Sequence, residues 1–559
     1  MKVLLTTLHS KYIHASLALP CLASYCADVA GEIAIAEYSV NQPKETLLAQ
    51  IMAQDAEVIC FSVYIWNRLA TLELVQCLKI LDPVKRIVLG GPETSFEDET
   101  FFDRFPVDAL ICGEGEIPLR HLLQAWESDT SPAAIGGLRT AARPAANGWS
   151  QLDDLDTIPS PFAAGLVDLQ RGLVYYESSR GCPYNCSFCM SALDQRVRSF
   201  SFERIASDLR LLMAAGVPII KFVDRTFNYD SQRARDIFAF ILEHNQSSRF
   251  HFEIGAQLLD AATLKLLETV PDRMFQFEIG VQSTLEATLD KVVRQTSLPK
   301  LAENVRYLQE KSRIHLHLDL IIGLPGEDYQ QCLDSLDWTY ALRPDQLQIE
   351  TVKLLPGAPL RGQAAEWGLH FDPNPPYAVL RTAALGYFEL QRLEGIGVLF
   401  DRIINSGRFT WLIKGLNQAF GRLSGWLEDL DSYWREHDLY SSQRSLRDLY
   451  LLMDGYLCGR FSAQKRLRLR ELLARDCAHH QRIVAGSAPA FFDCALSATE
   501  QEGVRARVKM ELSQLERSGK VQYFAARFRA LPDLPGPQLL IFLYIAKTSS
   551  GLQVKELVL

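Results

Sequence analysis

The chain of 559 residues lacks the long apolar segments of membrane and secreted proteins. Its longest apolar run near the C-terminal end, Leu539 to Ala546, has 8 residues, whereas a helix that crosses a bilayer needs about 20. The first residues turn polar after Leu5, so the apolar stretch of a secretory signal, about 7 to 15 residues, is missing as well. We therefore expect a cytoplasmic protein with no membrane partner.

Basic residues and cysteines are also few. The 58 Lys and Arg side chains are outnumbered by 67 Asp and Glu, a net charge of −9, which argues against a nucleic-acid partner. The 12 cysteines are too sparse for a disulfide scaffold, and clustered thiols in a reducing compartment more often bind metal or take part in catalysis. In contrast, 48% of the residues are apolar, which excludes a disordered chain. At roughly 100 to 200 residues per domain, the length predicts about three to five domains.

The first part of the chain, residues 1–127, alternates short apolar runs with helical patterns. The runs are residues 2–6, 57–61, 86–89 and 107–111, and the last two lead into Gly90-Gly91-Pro92-Glu93 and Gly113-Glu114-Gly115-Glu116. Strands separated by helical stretches, with glycines at their carboxyl ends, predict a doubly wound parallel sheet. Such a sheet binds ligands at the loops that follow its strands.

A second alternation of strands and helices follows a linker. Residues 128–170 are rich in Pro, Gly, Ala and Ser, which is typical of a segment that crosses the surface. Six strand-like segments come next, at residues 173–177, 218–223, 250–254, 274–279, 314–322 and 347–352. Six parallel strands within residues 171–365 predict a partial (β/α)6 barrel, whose chemistry takes place at the strand carboxyl ends. Residues 366–559 have helical spacing, as in 445–456 and 463–474, and are expected to form a mainly helical domain.

Three cysteines stand together immediately after the first barrel strand. They occur in Gly181-Cys182-Pro183-Tyr184-Asn185-Cys186-Ser187-Phe188-Cys189, at the spacing C-x3-C-x2-C. Zinc sites normally have four protein ligands and often pair two C-x2-C units, and no second such unit exists in this sequence. Three thiolates fit a [4Fe-4S] cluster better, because one iron then stays open to a small molecule. Zinc binding and three incidental cysteines remain the alternatives.

With Phe188 before Cys189, this loop resembles the signature of the radical S-adenosylmethionine (radical SAM) superfamily, C-x3-C-x-aromatic-C. The resemblance implies that Cys182, Cys186 and Cys189 hold a [4Fe-4S] cluster whose open iron chelates S-adenosylmethionine (SAM). One electron from the cluster would cleave SAM to a 5′-deoxyadenosyl radical, which abstracts a hydrogen atom from an unreactive position. The resemblance also implies an electron donor such as flavodoxin or ferredoxin.

Other barrel strand ends extend the resemblance. The segment Glu278 to Ser283, followed by Arg294, is similar to the family's contacts with the ribose, adenine and methionine carboxylate, and a basic side chain suits a carboxylate. The usual Gly-Gly-Glu is replaced by residues 223–228, in which an acidic and an aromatic residue match cobalamin-dependent members. The implied SAM contacts are Phe188, Asp224, Glu253, Glu278, Gln282, Ser283, Arg294, Asp319 and Leu355. For each acidic residue, a surface or salt-bridged carboxylate is the alternative.

The N-terminal domain resembles the cobalamin-binding domain of class B radical SAM proteins, here in a branch with its own C-terminal helical domain. The implied cobalamin contacts are Ser62, Gly90, Gly91, Gly113 and Glu114, since small residues let the backbone approach the nucleotide tail of the cofactor. Ordinary cobalamin proteins carry Asp-x-His-x-x-Gly in the first loop, whereas residues 8–16 of this chain contain His9, Tyr12 and His14 in another pattern. Each histidine is either a cobalt ligand or an ordinary loop residue.

A cobalamin domain beside a radical SAM barrel implies a methyltransferase that acts on an unactivated carbon, or phosphorus, of a substrate the sequence does not identify. Rearrangement or cyclisation without methyl transfer is one alternative, and a redox or corrinoid sensing module is another. A methylthiotransferase would need a second three-cysteine cluster, which the first domain does not contain. In the tail, Cys458, Cys477 and Cys494 are spaced too widely for a metal loop and are expected to be small core residues.

Overall fold

In the computed structural model the chain folds into two compact units, Met1–Leu390 and Gln391–Leu559. The structure describes residues 1–11, 13–145, 148–442, 444–514, 521–546 and 552–559. The first unit contains two largely parallel sheets with their helices, and the second is mainly helical with one small antiparallel sheet. None of the helices in these ranges is both long and apolar enough to cross a bilayer.

The first sheet has six strands and five helices. The strands are β1 (Lys2–His9), β2 (Glu32–Ser39), β3 (Val58–Ser62), β4 (Arg86–Gly90), β5 (Ala109–Ile111) and β6 (Leu138–Thr140). The helices are α1 (Ala18–Tyr25), α2 (Lys44–Met52), α3 (Arg68–Leu81), α4 (Phe101–Arg104) and α5 (Glu116–Glu127). The spatial order is β2-β1-β3-β4-β5-β6, parallel except for β6. The predicted doubly wound sheet is confirmed, and β6 places part of the expected linker within it.

Helices cover both faces of this sheet, because its central strands are apolar on both sides. Leu4 packs into one core cluster with Ile59 and Leu89, whereas Val3 and Leu5 pack into a second cluster on the opposite face. Each fully buried side chain of this size contributes about 1.5 to 3 kcal/mol to folding. The sequence does not predict β2, because this edge strand buries none of its residues fully and so lacks a buried apolar run.

The second sheet is the predicted partial barrel. The elements in this part are β7 (Leu173–Tyr176), β8 (Ser179–Arg180), β9 (Arg198–Ser199), α6 (Phe202–Ala214), β10 (Ile219–Phe222), α7 (Ser231–His244), β11 (Arg249–Ile254), α8 (Ala261–Leu267), β12 (Phe275–Gln282), α9 (Glu286–Lys291), α10 (Leu298–Lys311), β13 (His315–Ile322), α11 (Tyr329–Tyr340) and β14 (Gln346–Thr351). Six parallel strands form the sheet in the order β14-β13-β12-β11-β10-β7, and β8 pairs with β9 in a short antiparallel hairpin. All six predicted barrel strands are confirmed.

Alternation along the barrel strands separates an aromatic outer face from a polar inner face. In β12, Phe275, Phe277, Ile279 and Val281 are buried, and the residues between them face the other side. The rings of Phe252 and Phe277 lie 6.0 Å apart within a larger cluster of phenylalanines beneath the helices. Barrels of this kind usually fill their interior with branched apolar side chains. Here the interior is left to the polar residues that carry the candidate site.

The elements after the barrel complete the chain. They are α12 (Pro359–Gly362), β15 (His370–Phe371), β16 (Val379–Arg381), α13 (Tyr387–Leu399), a π-helical turn (Phe400–Asn405), α14 (Thr410–Phe420), α15 (Leu423–Glu436), α16 (Leu446–Arg460), α17 (Ala463–His480), α18 (Ala498–Gln514), β17 (Gln522–Phe528), β18 (Gln538–Ala546) and β19 (Leu552–Val558). The predicted helical character is confirmed, and the apolar run at 539–546 forms the central strand of an antiparallel sheet. Cys477 is a buried core residue as expected, but Cys458 is exposed; it lies in the last turn of α16, on the side away from the buried face.

Candidate functional site

The three predicted cluster cysteines lie on the segment that joins β8 to β9. All three are free; Cys182 and Cys186 are buried, and Cys189 is half-buried. Backbone hydrogen bonds fold the segment tightly: the Cys182 amide donates to the Asp194 carbonyl at 2.9 Å, and the Cys189 amide donates to the Cys186 carbonyl at 3.0 Å. Phe188, the aromatic residue of the motif, is half-buried beside them. Local turns thus bring three thiols together on one short loop.

Polar groups surround the sulfur atoms. Cys182 Sγ lies 3.6 Å from Thr226 Oγ1, and Arg294 Nη1 donates to Cys186 Sγ across 3.7 Å. Burial raises the pKa of the Cys186 thiol, and the Arg294 charge opposes that shift. Charges on Cys189 and Cys182 also raise this pKa, so the three sulfurs are close enough to influence one another. A positive side chain beside a cysteine favours the thiolate, which is the form that binds metal.

The cysteines are not arranged as a zinc site. Among the described residues, no group of three or more His, Cys, Asp or Glu side chains converges closely enough to hold one metal ion. A zinc ion needs its ligands at about 2.0 to 2.3 Å from a single point. In a cubane cluster the three thiolates bind three different irons and do not need to meet at one point. The donor set therefore fits a cubane cluster better than the zinc alternative.

Unsatisfied polar atoms lie next to the cysteine loop. Arg294 Nη2 donates to the Gly280 carbonyl at 2.5 Å, and a Cβ on Gly280 would lie 2.2 Å from the Gln282 amide nitrogen, so the three residues adjoin. Arg294 Nε, Gln282 Oε1 and Ser187 Oγ are buried, with no hydrogen-bond partner in the described part of the chain. Leaving such a group unpaired costs about 1 to 3 kcal/mol. These three atoms are therefore positioned to bind a ligand.

Two further predicted SAM contacts lie near this group. Ser283 is buried at the end of β12, and its hydroxyl donates to Glu327 at 3.0 Å. Leu355 lies in the loop after β14, and the Leu360 amide in the same segment donates to the Ser187 carbonyl at 2.8 Å. The loop after β14 therefore runs along the cysteine loop. Ser283 and Leu355 stay predicted contacts.

Asp224, the predicted acidic residue after β10, is fully buried and bonded within the protein. Its Oδ2 accepts from the Ser178 amide at 3.0 Å, and its Oδ1 accepts from the hydroxyls of Ser178 at 2.6 Å and Ser179 at 2.5 Å. Arg233 Nη2 lies 3.6 Å from the same Oδ1. These contacts join the end of β10 to the strand that enters the cysteine loop. Asp224 stays a predicted SAM contact whose carboxylate also positions that strand.

The remaining predicted contacts, Glu253, Glu278 and Asp319, face the interior of the barrel from β11, β12 and β13. Glu278 Oε2 lies 2.7 Å from His251 Nε2 and 3.2 Å from Lys221 Nζ. Burial alone would raise the pKa of Glu278, but these two partners hold it down at about 2. Burial raises the pKa of Glu253 to about 7, and the Glu278 charge adds to that shift. Two carboxyls of one cavity therefore have different charge near neutral pH.

Four of the predicted cobalamin residues lie at the carboxyl ends of β3, β4 and β5. Ser62 is the buried last residue of β3, and Gly90 is the last residue of β4. Gly91 has φ +103°, and a Cβ there would lie 2.6 Å from the Val63 carbonyl oxygen, so this turn requires glycine. Gly113, after β5, has φ +88°. These strand ends form the edge at which doubly wound domains bind ligands.

Glu114, the fifth predicted cobalamin residue, joins the first domain to the β8–β9 hairpin. Arg198 donates to its two oxygens at 2.6 and 3.1 Å, and Arg180 Nη1 lies 3.2 Å from Oε2. Arg180 also pairs with Glu116 at 2.7 Å and with Glu177 at 2.9 Å. Neither arginine was identified from the sequence, although the two bracket the cysteine motif. Glu114 stays a predicted contact, and its carboxylate is engaged in this ion cluster.

The two candidate histidines of the first loop each have a protein partner. His9 Nε2 lies 3.3 Å from Glu37 Oε1, and His14 Nδ1 lies 2.7 Å from the Tyr175 hydroxyl. Burial lowers the pKa of His14. Tyr12 of the same loop lies outside the described residues. The Tyr175 contact favours a loop role for His14. His9 is the last residue of β1, and its buried Nε2 has no hydrogen-bond partner within the described residues, so both alternatives stay open for His9.

A contact that the sequence does not reveal reaches the turn after β4. Tyr377 donates from its hydroxyl to Glu93 Oε2 at 2.7 Å, and both side chains are buried. Burial raises the pKa of the Glu93 carboxyl. A Cβ on Gly357 would lie 2.0 Å from the Phe96 ring, so the loop after β14 packs closely against the first domain. The cysteine loop and the strand ends of the first sheet are therefore linked through the same segment.

Three protein-family models match successive parts of the chain. The B12 binding domain matches residues 3–123, the Radical SAM superfamily matches residues 176–339, and a protein of unknown function (DUF4080) matches residues 365–522. The first range covers the first sheet apart from β6, and the second contains the cysteine loop and four of the six barrel strands, β10 to β13. The sequence resemblance is thereby confirmed for both domains.

Known proteins with similar sequence or structure are described as cobalamin-dependent or cobalamin-bound radical SAM enzymes. The cobalamin-dependent radical SAM methyltransferase TokK of Streptomyces tokunonensis is 27% identical over 356 residues, 58% of this chain and 51% of TokK. The structure of the cobalamin-dependent SAM radical enzyme OxsB with aqua-cobalamin has a TM-score of 0.59 at 16% identity, over 91% of this chain and 75% of OxsB. The methyltransferase TsrM of Kitasatospora setae, with cobalamin and a [4Fe-4S] cluster, has a TM-score of 0.55 at 18% identity, over 67% and 78%.

The two structural likenesses establish the fold, and the chain spans about half the length of the curated relatives it matches. The family models match most of the first sheet, most of the barrel and most of the helical region in turn. On these grounds the chain carries an N-terminal B12 binding domain, a radical SAM domain and a C-terminal DUF4080 domain.

Proposed function

We propose that the protein is a cobalamin-dependent radical SAM methyltransferase that acts on an unactivated carbon, or phosphorus, of its substrate. The cysteine loop carries the proposal: three free thiols lie beside Arg294, on a hairpin whose Arg180 and Arg198 bind Glu114 of the B12 binding domain. When bound, a [4Fe-4S] cluster would supply the electron for SAM cleavage, and cobalamin would supply the methyl group. The similarity in sequence to TokK, a cobalamin-dependent radical SAM methyltransferase, supports this proposal, and the likeness to TsrM supports the fold.

Within this proposal, the residues around the cysteine loop bind and orient SAM. Cys182, Cys186 and Cys189 would hold the cluster. Arg294 would pair with the methionine carboxylate, because a guanidinium and a carboxylate form a strong charge-assisted contact. Gln282 would satisfy its buried amide oxygen with a donor group of SAM. We assign the adjoining contacts to Phe188, Ser283 and Leu355, while Asp224 fixes the strand that carries the loop.

The strand ends of the first sheet are proposed to bind the nucleotide tail of cobalamin. Ser62, Gly90, Gly91 and Gly113 lie at neighbouring carboxyl ends, where small residues leave backbone groups accessible. Glu114 would act from the same edge by holding the cysteine hairpin through Arg198 and Arg180. The domain limits that we propose are residues 1–127, a linker at 128–170, the barrel at 171–365, and a helical domain at 366–559.

We further propose that the protein works in the cytoplasm with an electron donor such as flavodoxin or ferredoxin. The reducing compartment suits the free thiols of the cysteine loop, because exposed clusters and thiols are lost under oxidising conditions. A small acidic redox protein would transfer the electron by a transient contact. Neither nucleic acid nor a membrane is part of the proposal.

The products formed from SAM test the proposed function. Protein purified without oxygen and reconstituted with iron, sulfide and hydroxocobalamin is incubated with SAM and a strong reductant. We expect both 5′-deoxyadenosine and S-adenosylhomocysteine, since a methyltransferase of this type uses one SAM for the radical and another to methylate cobalamin. Formation of 5′-deoxyadenosine alone would favour rearrangement or cyclisation. If neither product is formed, a sensing module would be favoured.

The Arg294→Met variant tests the SAM site separately. Loss of a charge-assisted contact of about 1.5 to 3 kcal/mol is expected to weaken SAM binding about 10- to 100-fold. The dissociation constant is measured by titrating SAM against the EPR signal of the reduced cluster. Lys300→Met removes an exposed charge on α10 that pairs with Glu303, and it serves as the control with unchanged affinity. If Arg294→Met and the wild type bind SAM with equal affinity, Arg294 is not a SAM contact.

A further inference from the structure

Ionisable side chains line the interior of the barrel. The inward positions of five adjacent strands carry Tyr175, Lys221, His251, Glu253, Glu278, His317 and Asp319. Their neighbours along each strand are buried on the outer face, so the polar groups face one cavity. A lipid-like substrate would remove water from these groups without replacing its hydrogen bonds, which is unfavourable. The cavity therefore suits a polar molecule.

Most of these groups satisfy one another. Glu278 has the two basic partners described above, and His317 Nε2 lies 3.2 Å from Asp319 Oδ1. The Tyr175 hydroxyl, on the edge strand β7, meets His14 from the first domain at 2.7 Å. These pairs hold the side chains of the cavity wall in place. Because the paired groups neutralise one another, they offer little charge to a ligand.

Arg225 and Glu253 are the two charged groups here that have no partner. Within the described part of the chain, no residue forms an ion pair or a side-chain hydrogen bond with the exposed Arg225 guanidinium or with the half-buried Glu253 carboxyl. The Phe227 amide donates to the Glu253 carbonyl at 2.8 Å, so the segment after β10 runs beside the end of β11. The two side chains are near each other as well, because the Arg225 charge opposes the rise in the pKa of the Glu253 carboxyl that burial causes. The Arg225 charge also acts on Tyr64 of the B12 binding domain. The unpaired groups thus lie at the strand ends that face the first domain.

We propose that Arg225 and Glu253 bind the substrate, and that the substrate is a small polar molecule with an anionic group and a hydrogen-bond donor. It presents an anionic group, a carboxylate or phosphate, to Arg225 and a hydroxyl or ammonium donor to Glu253. This inference deepens the proposed function and rests on it. A guanidinium binds planar anions in a two-pronged fashion, and a carboxyl accepts from O–H and N–H donors, so one polar molecule satisfies both groups. Hydrocarbon-like substrates lack both features.

Two fractions of a cell extract test this substrate class. The reconstituted protein is incubated with reductant, SAM that carries a CD3 methyl group, and either the aqueous or the lipid fraction of cells that make the protein. We expect CD3 in a product of the aqueous fraction. The aqueous fraction is supplied at an amount that does not saturate the enzyme. Under these conditions product formation by Arg225→Met and by Glu253→Gln is expected to fall at least about 10-fold below that of the wild type, as for a lost charge-assisted contact. Arg249→Met, at the exposed opposite end of β11, is the matched control and keeps wild-type turnover.

A second measurement separates the substrate from SAM as the partner of Arg225. SAM alone is titrated into Arg225→Met and into Glu253→Gln, and the change in the EPR signal of the reduced cluster is expected to occur at wild-type SAM concentrations in both. Loss of the response in Glu253→Gln would return Glu253 to the SAM contacts that the sequence resemblance implies and overturn its role in the inference. Loss of that response in Arg225→Met would make Arg225 a SAM contact and overturn the inference. A CD3 product from the lipid fraction only would also overturn the inference. If the wild-type protein neither responds to SAM nor cleaves it, the proposed function itself fails. Wild-type turnover of the aqueous substrate by both variants would also overturn the inference, and it would leave the proposed function intact.

Discussion

Replacement of Cys182, Cys186 or Cys189 by alanine is expected to abolish the iron–sulfur cluster and, with it, all reductive cleavage of SAM. Each thiolate would bind a separate iron, and the remaining two cannot hold a cubane that already lacks a fourth protein ligand. The three thiols share one loop and influence one another's pKa, so the loss of one also changes the surroundings of the others. Iron content, absorbance in the visible range and 5′-deoxyadenosine yield measure the effect.

Cys332→Ala is the matched control for these variants. Cys332 is buried on α11, away from the cysteine loop in sequence, and its thiol pKa is raised by burial, as for an inert core residue. The control is expected to keep the full iron content and absorbance, with at most a modest loss of stability from the small cavity. Equal loss of iron from Cys332→Ala would show that the cluster ligands are assigned wrongly.

The second large effect is expected from Arg180→Met, which removes the centre of the ion cluster between the first domain and the hairpin. Arg180 pairs with Glu114, Glu116 and Glu177, and its own side chain is only 14% exposed. Removing one partner of such a pair leaves buried carboxylates uncompensated, which typically costs about 3 to 5 kcal/mol. We expect the first thermal unfolding transition to shift down by several degrees and iron retention to fall.

Arg196→Met, in the same hairpin, provides the comparison. Arg196 is 59% exposed and pairs with Asp153, which is 88% exposed, and exposed pairs of this kind contribute little. Differential scanning calorimetry of both variants, with iron content after reconstitution, is the measurement. No difference between Arg180→Met and Arg196→Met would contradict the view that the ion cluster joins the two domains.

The barrel and the first sheet are predictable from sequence because their signals are local. Strand-like segments such as β13 recur along the chain with helical stretches between them, so the local pattern places them. The edge strand β2 escapes prediction because it is only half-buried along its length. The apolar run at 539–546 does not by itself predict the strand β18. Its two partners, β17 and β19, are weakly apolar and are separated from it by loops.

The candidate site also contains residues that the sequence predicts and residues that it does not. The three cysteines are recognisable because their ligand spacing lies within eight consecutive positions of one loop. The partners of Arg180 and Arg198 in the first domain lie more than 60 positions away, and Tyr377 bonds to Glu93 across 284 positions, so no local pattern predicts these contacts. The lack of partners at Arg225 and Glu253 is a property of the folded barrel, and it has no counterpart in the sequence.

The metal content of the reconstituted protein tests the central claim most directly. Protein purified without oxygen is loaded with iron, sulfide and hydroxocobalamin, desalted, and analysed for iron and cobalt together with its visible spectrum. The account predicts about four irons, the content of one cubane cluster, and one cobalt per chain. Iron without cobalt would contradict the role of the first domain as a cobalamin site, and the absence of both metals would contradict the radical SAM chemistry as a whole.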